Sequence, residues 1–158
     1  MEQRRGKRVC ESHTEQIQIL MPQHINGQKR LFGGRLVEWI DVVAAVVARR
    51  HSGCNVTTAA IDNLQFKGAA YVGNTVVLIG QMVYTGNTSM EVRVDTYVEE
   101  LGGQRRLVNR AYLVMVALDE KEQPTAVPTL ILETDTERAE WQAAAQRREL
   151  RRQQRGGA

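Results

Sequence analysis

The sequence predicts an α+β protein in which one long apolar helix lies against an antiparallel sheet. Two observations carry this. The run Trp39 to Ala48 reads Trp-Ile-Asp-Val-Val-Ala-Ala-Val-Val-Ala, apolar on nearly every side of a helix, which predicts a buried one. Downstream, four segments rich in β-branched residues alternate with a period of two, joined by glycine-bearing turns short enough for hairpins.

The elements follow in order. Ile17-Gln18-Ile19 alternates and predicts a strand over about 14–20, and the polar stretch 21–30, with Pro22, Asn26 and Gly27, reads as a loop. Gly33-Gly34 leads into a helix over about 35–50, with Leu36, Ile40, Val43 and Val47 at helical spacing. Its valines are mediocre helix formers, so burial has to hold it. His51-Ser52-Gly53 ends it, with glycine just past the C-terminus. Strands are expected over 56–66, 75–85, 89–99 and 106–118, with turns at Gly73-Asn74, Gly86-Asn87 and Gly102-Gly103. A second helix spans about 134–155, with Thr134 and Glu137 spaced for a capping box and Trp141 as its large apolar anchor. Gly156-Gly157-Ala158 is expected to fray. One domain covers 1–158, its core about 14–118, and no internal repeat is visible.

Composition narrows the function. The 158 residues are 42% hydrophobic and 25% charged, as in a globular protein, and no stretch is long and apolar enough to span a bilayer. The basic start, Met1 to Arg8, has no apolar h-region behind it, so a secretory signal is not expected and a cytoplasmic location is. Cys10 and Cys54 have no metal-ligand spacing and read as two thiols in a reducing compartment. The net charge of +3 comes from the ends: Arg4, Arg5, Lys7 and Arg8 in front, Arg147, Arg148, Arg151, Arg152 and Arg155 behind. Such ends suit nucleic acid, an anionic ligand or plain solvation. An aromatic content of 5% and the lack of a nucleic-acid motif argue against the first, and the tail arginines read as a solvated face ahead of the alternative that they reach a neighbouring subunit's ligand.

Asp41 is the first candidate for chemistry, because a carboxylate on a buried helix is costly unless it is paired or put to work. The motifs around it form an ordered set. Pro22-Gln23-His24-Ile25-Asn26 is followed by Leu31-Phe32-Gly33-Gly34, Glu38-Trp39-Ile40-Asp41, Thr58, Asp62, Phe66, Gly73 and then Gly86-Asn87-Thr88-Ser89 with Met90-Glu91-Val92. Over about 17–118 this set resembles the acyl-CoA thioesterases of the hot-dog fold. One position departs: Ala69 stands where that family usually has proline.

The resemblance implies a long helix wrapped by an antiparallel sheet, and hydrolysis of fatty acyl-CoA to free acid and CoA. It implies a homodimer with active sites at the interface, often assembled further into a trimer of dimers. CoA is substrate and product, and no cofactor or metal is implied. By similarity Asp41 is the catalytic carboxylate, Asn26 reaches the site from the neighbouring subunit, and Phe66 and Lys67 border the pantetheine channel.

The residues themselves fit this chemistry. A carboxylate in apolar surroundings is a better proton acceptor than an exposed one, so Asp41 can activate water; direct attack through an anhydride stays open. Gly33 and Gly34 place free N–H groups at a helix N-terminus, where a developing oxyanion is stabilised, unless they only form a tight loop. The Asn26 amide can hold the carbonyl or orient water, or it is a turn residue. For the CoA phosphates the candidates are Gly86, Asn87, Thr88 and Ser89, and the helix-end group Arg49, Arg50 and His51. Asp62 reads as structural, and Met82, Met90 and Met115 as core. No Ser/His/Asp set and no G-x-S-x-G elbow is present. A rival reading is a non-catalytic acyl-CoA or acyl-carrier binding module in which Asp41 is idle.

Overall fold

In the computed structural model, which describes residues 5–156, the apolar run lies within α1 (Gly33–Ser52). Arg4 and the Gly157-Ala158 end lie outside the described residues. Around α1 stand β2 (Thr14–Ile19), β3 (Asn55–Phe66), β4 (Thr75–Thr85), β5 (Ser89–Glu99) and β6 (Arg105–Leu118), in one antiparallel sheet of order β2-β4-β5-β6-β3. Short β1 (Lys7–Arg8) and β7 (Leu130–Ile131) pair in parallel, and α2 (Asp135–Gly156) closes the chain. The curled sheet around a long helix is the hot-dog arrangement that the sequence resemblance implied.

The helix is held by burial. Leu36, Ile40, Val43 and Val47 form a fully buried stripe, packed with Leu78, Val92, Leu113 and Met115 of the sheet. Each such side chain is worth roughly 1.5–3 kcal/mol against exposure. Met82, Met90 and Met115 lie in this core, as expected. Gly80 of β4 lets the layers close: a Cβ there would stand 2.7 Å from Val43 and 2.9 Å from Val47. At the helix end Gly53 takes φ 69°, the left-handed conformation that glycine adopts without strain.

The expectation of a helix buried all round is corrected on one side. Val42 is 51% exposed, and Asp41, Ala45 and Val46 are half-buried. A single five-stranded sheet covers one side of a helix and leaves the other. That open side lies beside β3, a 12-residue edge strand bonded only to β6, along which Thr57, Thr58, Ala59, Ile61, Gln65 and Phe66 are exposed.

On the opposite face of the sheet lies α2. Thr134 Oγ1 accepts the Glu137 N–H at 3.0 Å, and the return bond from the Glu137 carboxylate takes the N–H of Glu133, one residue earlier than in a capping box. Trp141 stacks on Tyr84 with ring centroids 4.2 Å apart. Ala144 is fully buried beneath the helix, and charged groups make many of the remaining contacts. Arg147 donates to Glu91 at 2.8 Å and lies 3.7 Å above the Tyr112 ring. Arg93 pairs with Glu140 and Asp95, Arg110 with Asp95 at 2.7 Å, and Arg151 with Asp62 at 2.6 Å. Asp62 is thus structural, as read. Cys10 and Cys54 are not joined in a disulfide.

Candidate active site

Asp41 sits two turns into α1, on the side that faces β3. Thr58 of β3 donates its hydroxyl to Asp41 Oδ1 at 2.6 Å, with Met115 Sδ 3.5 Å behind it. One carboxylate oxygen is therefore fixed and the group stands half-open rather than sealed, so a water molecule can reach it. The pair exists because α1 and β3 run past each other at the margin of the core, where Asp41 follows the buried Ile40 and Thr58 precedes the exposed Ala59.

Asn26 belongs to a closed loop. Phe32 N–H donates to His24 O at 2.9 Å, Asn26 N–H to Arg30 O at 2.8 Å, and Leu31 N–H to Ala70 O at 2.8 Å. The Asn26 side-chain carbonyl accepts from the N–H groups of Gln28 and Arg30 at 2.9 and 3.3 Å, an Asx-type turn. Asn26 is thus seated in a turn through its Oδ1. With Oδ1 occupied, the amide NH2 is the end left to offer, so Asn26 can donate to a substrate oxygen. It lines a cleft of about 160 Å3 with Leu36, Phe66 and Ala70.

Gly33 and Gly34 open α1 behind Phe32, with no side-chain cap. The first intrahelical donor is Leu36 N–H, at 3.1 Å from Phe32 O, so the N–H groups ahead of it have no place in the helical ladder. A Cβ on Gly33 would stand 3.6 Å from the Phe66 ring, and one on Gly34 only 2.7 Å from the Phe32 ring. A side chain at Gly34 would have to displace the exposed Phe32 ring. Phe66 and Phe32 are both 54% exposed at this mouth. Lys67 is exposed next to it, its N–H bonded to Val108 O at 2.7 Å.

The structure separates the remaining candidates. Gly86, Asn87, Thr88 and Ser89 form the β4–β5 hairpin turn, closed by Gly86 N–H to Ser89 O at 2.8 Å. Of the helix-end group Arg49, Arg50 and His51, the His51 reading is corrected. His51 is completely buried, with Nε2 2.8 Å from Pro128 O, and burial holds its pKa below the usual value. The segment before β7 covers the last turn of α1 at this point and closes His51 off from solvent. Arg50 is tied to His13 O and Thr14 Oγ1, both at 3.1 Å, and Arg49 is exposed at the same far end of the helix. Thr58 is given no role from the sequence, and the tail arginines read there first as a solvated face. Thr58 is among the matching positions, but a hydroxyl 17 residues from a carboxylate carries no spacing signal. The tail arginines are not simply a solvated face: four of them line a pocket with Thr88 and Ser89. Among the described residues no cluster of three His, Cys, Asp or Glu side chains is placed to hold a metal, and no helix is long and apolar enough to cross a membrane.

A long helix wrapped by a curled antiparallel sheet, with a carboxylate on its open side held by a threonine of the edge strand, puts the chain in the hot-dog thioesterase class. The model of the thioesterase superfamily matches residues 28–103. An acyl-CoA thioester hydrolase of Bacillus subtilis, YkhA, is 34% identical over 132 residues, 82% of this chain and 77% of that protein. The structure of a hexameric acyl-CoA thioesterase superposes with a TM-score of 0.91 at 36% identity, covering 95% of this chain and 97% of that one. An acyl-CoA hydrolase from Staphylococcus aureus, solved with butyryl-CoA, CoA and CoA disulfide, gives a TM-score of 0.89 at 33% identity over 94% and 92% of the chains. That hydrolase has also been solved as variants in which an aspartate, an asparagine or a threonine is replaced by alanine. Of the mouse acyl- and acetyl-coenzyme A thioesterases it matches, this chain spans only about a quarter. The chain belongs to the acyl-CoA thioesterases of the thioesterase superfamily.

Proposed function

We propose that the chain hydrolyses fatty acyl-CoA thioesters at a site completed by a second copy of itself. Asp41 takes a proton from a water molecule, and the resulting nucleophile attacks the thioester carbonyl carbon. The carbonyl oxygen takes up the negative charge beside the α1 N–H groups and the Asn26 amide. The C–S bond then breaks, the thiolate of CoA leaves and takes up the proton, and the free acid remains. Thr58 keeps Asp41 turned toward the water by holding one of its oxygens. The observation that carries this reading is the short Thr58–Asp41 bond on the half-open side of α1. The aspartate, asparagine and threonine varied in the Staphylococcus aureus hydrolase follow the same order and spacing as Asn26, Asp41 and Thr58, and this supports the same three roles.

Two features support the second copy. Asn26 lines the cleft at the start of α1 while Asp41 pairs with β3 two turns further on, so one chain presents the donor and the acid on different walls. An unpaired 12-residue edge beside an exposed Val42 is a surface that a second sheet covers. The hexameric relatives support a trimer of such dimers. We place the reaction in the cytoplasm, in line with the cytosolic rodent relatives.

The test is turnover of palmitoyl-CoA with a chromogenic thiol trap. Many equivalents of CoA released per chain support hydrolysis. Binding of palmitoyl-CoA without release would make the protein an acyl-CoA binding module instead.

A further inference from the structure

Ahead of α1 the chain makes one 3-10 turn, Pro22–His24, and then a loop over 25–31 that carries Asn26. Asn26 Oδ1 organises the tip of this loop from within, and the tip, 27–30, is exposed. The direction of the Asn26 amide is therefore set at the base of the loop. One side of that base is tied by the backbone: Leu31 N–H donates to Ala70 O, and Arg30 and Tyr71 form a β-bridge.

Toward α1 the base is docked through His24. The imidazole meets the Trp39 ring edge to face, with centroids 5.0 Å apart and planes at 77°. Trp39 is 8% exposed, belongs to the core and stands two residues ahead of Asp41. The same imidazole caps its own turn: Met21 N–H donates to Nδ1 at 3.0 Å, which puts the ring proton on Nε2. The His24 carbonyl accepts from Phe32 N–H, in the residue just before Gly33 and Gly34. His24 thus joins the turn before Asn26, the start of α1 and a core residue of α1. The two donors assigned to the developing oxyanion, the Asn26 amide and the first N–H groups of α1, lie on segments that meet at this one residue. Such donors act together only when both reach the same oxygen, and a shift of about 1 Å is costly.

We propose that His24 is a positioning residue: by docking the Asn26 loop on Trp39 it fixes the spacing between the Asn26 amide and the N–H groups of Gly33 and Gly34. The effect on catalysis rests on the hydrolase reading above; the docking does not.

The test compares two variants of the full chain. His24→Ala removes the ring, whereas His24→Phe keeps a ring on Trp39 and loses only the acceptor for Met21 N–H. Met21 is exposed, so water can replace that acceptor. The first readout needs no activity: hydrogen exchange of the peptide covering 24–32, followed by mass spectrometry. His24→Ala should exchange there at least about fivefold faster than the wild type, with β4 and β5 unchanged and His24→Phe close to the wild type. Wild-type exchange in His24→Ala, equal acceleration in β4 and β5, or His24→Phe as fast as His24→Ala overturns the proposal. The second readout is palmitoyl-CoA turnover. In His24→Ala kcat should fall about tenfold with little change in KM, and His24→Phe should recover most of the loss. Added to Asn26→Ala, His24→Ala should cost nothing further, because the spacing no longer matters. An equal drop in both backgrounds means that His24 does not act through Asn26 and overturns the proposal. No turnover by the wild type refutes the hydrolase reading and leaves the exchange rates to decide the docking.

Discussion

Asp41 and Glu91 stand on opposite faces of the same sheet and contrast in almost every respect. Glu91 is the more buried of the two, and burial pushes its pKa up despite the hydrogen bond from Arg147. Yet it is enclosed by Arg147, Arg151 and Asp62 in a network that fastens α2 to the sheet. Asp41 is half-open, holds one hydroxyl, and leaves an oxygen to the space beside β3. Depth of burial therefore does not mark the carboxylate that is open to a ligand. A carboxylate is available for chemistry where its partners hold it without enclosing it.

Substitutions on the two faces should separate stability from rate. The largest effect is expected from Arg147→Ala, which strands Glu91 in a buried site and also removes the cation lying over Tyr112. Loss of one partner of such a pair costs about 3–5 kcal/mol, read as a large drop in the urea midpoint. If the variant melts like the wild type, the α2 network is not the fastening described. Next comes Thr58→Ala, which frees Asp41 Oδ1 from its bond. A kcat lower by about 10- to 100-fold with little change in KM is expected, since the bond orients the base rather than gripping the substrate; a changed melting curve with an intact kcat would assign Thr58 to packing.

The smallest effects are those of pH. Because the Glu91 pKa is raised on folding, the native state binds its proton more tightly than the unfolded chain does. Stability from this group is full below the ordinary value of 4.5 and falls as pH rises through the displaced one. His51 works the other way: its pKa is lowered, so its share is full above 6.5 and is lost as pH falls through the lowered value. Unfolding free energies measured across pH for Glu91→Gln and His51→Gln should lose the first slope and the second respectively. A wild-type slope in either variant contradicts the assignment.

How much of this the sequence disclosed follows from range. The β-branched run of β4, the clean alternation within β5 and the glycine turns around them put the strands at Thr75–Thr85 and Ser89–Glu99, as observed, because these are local signals. Asp41 stood out for the same reason, as a lone charge in an apolar run. What did not show was any relation between distant residues. Thr58 with Asp41, Asp62 with Arg151 and Glu91 with Arg147 are joined only by folding. Gly80 looked like any strand glycine, although two valines of α1 require it. The α1 stripe was legible, but its open side was not: the composition of a helix does not say how many of its faces one sheet will cover. His51 misled for a similar reason, since a helix-end histidine next to two arginines reads as a charged patch until the segment before β7 is seen to cover it.

The most direct test is the rate of palmitoyl-CoA hydrolysis by Asp41→Asn, with circular dichroism melting on the same sample. The amide keeps the shape and the Thr58 contact but takes up no proton, so kcat should fall about 10²- to 10⁴-fold while the melting temperature stays near that of the wild type. Hydrolysis at the wild-type rate by the folded variant would contradict the account.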